Sequence, residues 1–285
     1  MGQEWIKGKM ETMLWKHLTE FQSTTFLVGG DNGCGKTRSM ELLSEVLTQP
    51  CFPEAVKIIN CAPFRAEPSH SVSQQIRDII VKQLQICPDS LIILDDAQLI
   101  TSKTWQLLRD VLKPSIKHIY INENDRLKTI PKNRMILGLV TDFGQSIATT
   151  REITTPQALD DLFRQEVRRL WGEDPDLLEF FKYELPFQYL SHTEMKQLVQ
   201  QYVSEEVAKI PSKWFRVKIE DSVLDEIVKD VEYAFPDQCG RGVTKWLDQY
   251  LKPPLLTFVK KASRSFATIE IHEYSNGLFK FRFAK

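Results

Sequence analysis

Phe26-Leu27-Val28-Gly29-Gly30-Asp31-Asn32-Gly33-Cys34-Gly35-Lys36-Thr37 decides how this chain is read. A short apolar run meets a glycine-rich turn, which feeds a helical pattern from Thr37 to Leu47. From Gly30 to Thr37 the residues fit a phosphate-binding loop, with two glycines five apart followed by Lys and then Ser or Thr. The glycines let the backbone curl, so that amide N–H groups along Gly30, Asp31, Asn32, Gly33, Cys34 and Gly35 converge on a polyphosphate at the positive end of the next helix. Lys36 then reaches the β- and γ-phosphates, and the Thr37 hydroxyl is the expected Mg²⁺ ligand.

Composition narrows the class. A chain of 285 residues can bury one large core or two modest ones. The net charge of −1 gives no bulk electrostatic argument for nucleic acid. Cys34, Cys51, Cys61, Cys87 and Cys239 are scattered and have no CxxC spacing, so neither a disulfide framework nor a zinc site is expected. No apolar run reaches membrane-spanning length, and Met1-Gly2-Gln3-Glu4-Trp5 does not open a signal peptide. A complete chain is therefore expected to be soluble and cytoplasmic.

Outward from the loop, Trp5, Ile6, Met10, Met13 and Leu14 recur at roughly helical spacing, so a helix leads into a strand at Thr25 to Gly29. Val56 to Asn60 reads as a short buried strand and Ser71 to Gln85 as an amphipathic helix. Leu91-Ile92-Ile93-Leu94-Asp95-Asp96 is an apolar strand ending in two acids. Its carboxyl end is expected at the nucleotide crevice, with Asp95 holding Mg²⁺ through water and Asp96 polarising the attacking water. The usual second acid is Glu. Asp96 is one methylene shorter, which leaves slow hydrolysis open.

Trp105 to Leu112 reads as a helix stopped by Pro114, and Asn122 to Asn133 as a polar segment before a strand at Met135 to Val140. That strand presents Asp142 from its tip toward a γ-phosphate. A kinase-like reading of Asp142-Phe143-Gly144 has no other kinase motif beside it. Helices follow at Pro156 to Trp171, at Thr193 to Lys209 behind a Ser191/Glu194 capping box, at Ser222 to Tyr233 and at Gly242 to Lys261. Short strands are expected at Leu185 to Phe187 and Phe215 to Ile219, and a terminal hairpin turns at Asn276-Gly277. The expected fold is α/β: a parallel sheet with helices on both faces over residues 1–190, then a small helical domain over 191–285 ending in the β-hairpin.

That layout resembles AAA+ P-loop ATPases of the Clp/Hsp100 group. Gly2-Gln3 resembles the Gly-Gln that opens their modules, and Cys239-Gly240-Arg241 with Val243, Leu247 and Tyr250 resembles their Gly-Ala-Arg sensor-2 helix. The resemblance implies that Arg241 reaches the nucleotide phosphates when the small domain closes, and that Asp142 is sensor 1. Leu177 to Phe181, Leu185-Pro186-Phe187-Gln188-Tyr189 and Leu247-Asp248-Gln249-Tyr250 look most like torsins. No arginine finger precedes the small domain, where the chain reads Glu179-Phe180-Phe181, and Phe64 to Ser73 lacks Tyr, Trp and Gly where unfoldases carry a pore loop. Torsins share both absences and take the finger from a partner subunit. Such a finger contributes roughly a thousandfold or more in turnover. The chain departs from torsins in ending the loop with Lys-Thr rather than Lys-Asn, in Asp142 for Asn, and in Asp96 for Glu.

The favoured expectation is an ATPase that binds ATP with Mg²⁺, forms a nucleotide-dependent oligomer, hydrolyses slowly unless a regulatory subunit activates it, and remodels a protein client. If the chain is the processed domain of a true torsin, the endoplasmic reticulum lumen replaces the cytoplasm. One alternative is an ATP-gated scaffold with negligible turnover, motivated by Asp96 and the missing finger; Cys34 in the loop is read as a filler side chain in preference to a redox-sensitive one. Another is a DNA-associated AAA+ regulator or loader, using the basic stretch Lys103, Arg109, Lys113, Lys117, Arg126, Lys128, Lys132 and Arg134. Nucleic acid is the less favoured partner on charge grounds.

Overall fold

The computed structural model describes residues 3–20, 22–48, 53–123, 126–144, 155–172, 175–210, 214–261, 266–275 and 277–284. Gly2, Cys51 and Asn276, invoked above, lie outside the described residues. The chain divides into two compact units. One comprises Glu4–Asp31 and Gly35–Gln188, and the other comprises Tyr189–Lys285 together with Asn32–Cys34 and Gln3.

The first unit is built on a five-stranded sheet of β1 (Thr24–Gly30), β2 (Val56–Asn60), β3 (Leu91–Asp95), β6 (Ile136–Val140) and β7 (Tyr183–Phe187). Their spatial order is β2-β3-β6-β1-β7, and every neighbouring pair is parallel. Residues Thr24 to Gly30, Leu91 to Leu94 and Ile136 to Val140 are buried without alternation, as expected of parallel strands covered on both faces. Helices α1 (Glu4–Glu20), α2 (Lys36–Thr48) and α3 (Ser69–Ile86) follow the sequence reading within a residue or two. Helix α6 (Pro156–Trp171) begins under a Thr155 cap whose hydroxyl accepts from Ala158 N. Trp171 meets Phe143 edge-on at 4.9 Å and Trp105 at 6.0 Å, which ties this helix to the turn after β6.

At the centre of the sheet, Gly138 stands opposite both Phe26 and Ile93. A Cβ at Gly138 would lie 2.3 Å from the Phe26 ring tip, so the ring occupies the space that any other residue at 138 would need.

Two expectations change. The Trp105–Leu112 helix begins earlier and is broken at Leu108 into α4 (Ser102–Leu107) and α5 (Arg109–Leu112). The polar segment from Asn122 folds, with the residues before it, into an antiparallel hairpin of β4 (His118–Glu123) and β5 (Arg126–Pro131). Among its described side chains only Ile119 and Ile130 are buried, and they pair with each other; β5, exposed at all its other positions, carries too little apolar alternation to mark it.

The second unit packs α8 (His192–Ala208), α9 (Asp221–Ala234), α10 (Cys239–Trp246) and α11 (Lys252–Lys261) with a three-stranded sheet. Short α7 (Pro175–Leu178) belongs to the first unit. Ser191 and Glu194 form the reciprocal capping box of α8, and Glu194 Oε1 also accepts from Gln3 N at 3.2 Å. Met195, Val199, Val203 and Val207 recur at helical spacing and enter one core with Val223, Ile227, Val231, Trp246 and Ile269. A five-residue π-helical stretch, Leu247–Leu251, joins α10 to α11, so the helix read as continuous to Lys261 changes its winding there. The terminal hairpin of β9 (Phe266–Ser275) and β10 (Leu278–Phe283) gains β8 (Trp214–Ile219) as a third strand, parallel to β9.

Lys132 leaves the basic stretch altogether. It is fully buried beside the α5 C-terminus, where its ammonium donates to Val111 O at 2.5 Å and Lys113 O at 2.9 Å. Val111 O lies in the last turn of α5, where carbonyls lack a partner within the helix, and Lys113 O also accepts from Ile116 N at 3.1 Å. Burial lowers its pKa from the ordinary 10.5 to about 7, against a smaller opposing pull from Asp110. Between those values the unfolded chain holds a proton that the folded chain has lost, so stability rises with pH by up to about 1.4 kcal/mol per unit. Chemical denaturation from pH 7 to 9 should show this rise in the wild type and lose it in Lys132→Met, whose curve would be flatter over that window.

Candidate phosphate-binding site

Parallel pairing brings the carboxyl ends of β1, β3 and β6 to one edge of the sheet. Leu27 and Leu94 are both level with Leu139, so Gly30, Asp95 and Asp142 emerge together just beyond. Gly30 and Gly33 have φ of 129° and 82°, a region that side chains disfavour. A Cβ on Gly30 would lie 2.4 Å from Phe187 O, so this position is also closed by space. The Gly30 N–H is already given to Phe143 O, which makes Gly30 a turn residue that anchors the loop to β6.

Lys36, the first residue of α2, is buried and curls back over the loop. Its ammonium donates to Gly30 O at 2.6 Å, Asp31 O at 3.1 Å and Asp142 Oδ1 at 2.8 Å. These contacts complete the three donors of an ammonium and hold it at the loop mouth. Asp31 and Cys34 are buried, Asn32 is partly covered, and Thr37 is exposed at the first turn of α2. Cys34 is 3 % exposed, as a filler side chain in the loop would be.

Asp95 and Asp96 are partly buried at the end of β3. Asp96 N donates to Asp95 Oδ1 at 3.1 Å. Asp96 is left-handed, with φ 57° and ψ 35°, a conformation that costs a non-glycine residue about 1–2 kcal/mol and that Asp tolerates better than most. Burial, then the charges of Asp96 and Asp142, push the Asp95 carboxyl above its usual range, with Lys36 opposing. The same environment, burial first and then Asp95 and Asp96, pushes the neighbouring Cys61 thiol up to about 12, so it stays protonated and inert.

This excess of negative charge suits a divalent cation. Among the described residues no group of three or more His, Cys, Asp and Glu is arranged to hold a metal alone. A site made of one hydroxyl, one carboxylate reached through water and phosphate oxygens is the kind Mg²⁺ takes, and Thr37 and Asp95 fit it.

Sequence reasoning missed Gln98, in the 3₁₀ turn after β3. Its Nε2 donates to Asp96 Oδ1 at 3.3 Å and Asp142 Oδ2 at 3.2 Å, while its Oε1 accepts from Asp142 N at 3.3 Å. No motif marks a glutamine three residues past the first acid. Arg241 is exposed near the start of α10, and within the second unit a Cβ on Gly33 would lie 2.8 Å from Arg241 Cβ.

Because its folded pKa is raised, Asp95 carries a charge at neutral pH that the folded protein disfavours. Asp95→Asn keeps the acceptor for Asp96 N and removes that charge. In chelator at pH 7 it should melt higher than the wild type by roughly 2 °C or more, as differential scanning fluorimetry would register.

No family model matches the chain, and no curated protein matches it by sequence. Among solved structures it is similar to Hsp104 of S. cerevisiae in its ADP complex, with a TM-score of 0.71 and 16% identity. The match covers 95% of this chain and 48% of that one, so the chain spans about half the length of the Hsp104 chain. A parallel five-stranded sheet flanked by helices, followed by a helical unit with terminal strands, is the fold this chain shares with that structure, as expected of an AAA+ P-loop domain.

Proposed function

We propose that this chain is a torsin- or Clp-like AAA+ ATPase that binds ATP with Mg²⁺ and uses binding, with slow partner-stimulated hydrolysis, to assemble and remodel a protein client. The observation that carries the reading is the Lys36 ammonium at the loop mouth, shared between loop carbonyls and Asp142. The similar structure is Hsp104 in complex with ADP, which supports an adenine nucleotide as the ligand here.

In this reading the loop amides and Lys36 hold the phosphates, and Thr37 and Asp95 hold the metal. Mg²⁺ would offset charge between the β- and γ-phosphates. Asp96 orients the attacking water, while Asp142 and Arg241 respond to the γ-phosphate. Phosphate oxygens compete for the Lys36 ammonium with Asp142, so binding begins by exchanging one anionic partner for another. The client, an activating subunit that supplies the arginine, and a nucleotide-dependent oligomer belong to the same proposal. Among the described residues no helix is long and apolar enough to cross a membrane.

A second reading, an ATP-gated scaffold with negligible turnover, is favoured by the left-handed Asp96, whose short carboxylate is already hydrogen-bonded to Gln98. Phosphate release with and without candidate partners separates the two. Turnover under any condition defeats the scaffold, and bound ATP without turnover under every condition defeats the enzyme.

Titration calorimetry should detect ATP with Mg²⁺ in the wild type and at least about a hundredfold weaker binding in Lys36→Ala, since the variant loses a charge-assisted contact to phosphate in a buried site. Size-exclusion chromatography should show a larger assembly with ATP than with ADP or neither. Equal calorimetric binding by wild type and Lys36→Ala, or one elution volume in all three conditions, would count against this function.

A further inference from the structure

Both polar atoms of the Gln98 amide are engaged, the nitrogen by two carboxylates and the oxygen by one backbone N–H. Its nitrogen serves an oxygen of Asp96 and an oxygen of Asp142, and its oxygen takes the Asp142 N–H. The orientation is fixed by charge. Flipping the amide would set its oxygen against two carboxylates and its NH₂ against an N–H.

Asp142 is therefore held from two sides, Oδ1 by Lys36 and Oδ2 by Gln98. Four side chains form one line: Lys36, Asp142, Gln98, Asp96. Within this line the Lys36–Asp142 contact is short, at 2.8 Å, whereas those of Gln98 lie at 3.2–3.3 Å, beyond the usual optimum. Longer, weaker bonds within a mutually satisfied set can rearrange without leaving a buried group stranded.

We propose that Gln98 is a positioning residue that links Asp142 to Asp96, so that a triphosphate drawing Lys36 away from Asp142 changes where the Asp96 carboxylate points. The inference rests on the ATP-binding reading above and adds the regulation of that site. Phosphate oxygens take the Lys36 ammonium, Asp142 keeps Gln98 as its remaining side-chain partner among these four, and the shared amide carries the shift of Asp142 to Asp96. ADP, lacking the γ-phosphate, disturbs the Lys36–Asp142 pair less.

The test compares ATP and ADP affinities, each with Mg²⁺, by titration calorimetry in the wild type, Gln98→Leu, Asp142→Asn and the double variant. Gln98→Asn, which keeps the amide one methylene short of both carboxylates, serves as the second variant. ADP binding reports an intact loop. The expected result is that both Gln98 variants keep ADP affinity while their preference for ATP over ADP falls at least about fivefold, the lower end of ordinary coupling between sites. The double variant should then be no worse than Asp142→Asn alone, because both changes break the same line.

An unchanged ATP preference in both Gln98 variants, losses that add in full in the double variant, or loss of ADP binding in both would overturn the inference. The last outcome would make Gln98 a brace of the fold. A wild type that binds both nucleotides without preference also overturns it, while leaving nucleotide binding itself intact. A wild type that binds neither nucleotide overturns the parent reading, and this one with it.

Discussion

A buried ammonium has to be fully partnered, and the way Lys36 meets that demand organises the carboxyl edge of the sheet. Two of its partners are carbonyls of the loop that bears it, and the third is a carboxylate from the neighbouring strand's tip. The loop is thereby closed on itself and tied to β6. The Gly30 N–H given to Phe143 O makes a second tie between the same two segments. Neither bond would exist if β1 and β6 were not parallel and adjacent, because only then do both chains turn at one end of the sheet.

The acids at this edge illustrate a site built against stability. Three carboxylates sit within one another's field, Asp95 is pushed toward its neutral form, and Asp96 is held left-handed. A fold optimised only for its own cohesion would separate these charges and relax that backbone. Under the proposed function, the metal and phosphates of a bound nucleotide would offset this concentration of charge. Gln98 is the neutral group that lets two of the acids share one place.

Much of this was readable in the residues, because the relevant signals were dense. Unbroken apolar runs at Phe26–Val28, Leu91–Leu94 and Ile136–Val140 could hardly be anything but buried parallel strands once helical patterns separated them. The loop glycines sit at fixed spacing because the backbone requires it. What escaped notice depended on tertiary context. Among its described side chains the β4–β5 hairpin buries only one pair of apolar residues, and β5 carries almost no period. Lys132 looked like one more surface cation, since nothing in its neighbours says that it faces two helix-end carbonyls. Gln98 has no motif, and its role exists only because a turn folds it back between acids from two strands.

The fit of the Phe26 ring over Gly138 bears on how such chains diverge. Neither position can drift alone: enlarging 138 collides with the ring, and shrinking 26 opens a void at the middle of the sheet. Lineages that keep this fold should therefore preserve the aromatic and the glycine as a couple or exchange their bulk in step. That correlated pair would be a marker for descent even where overall resemblance has faded.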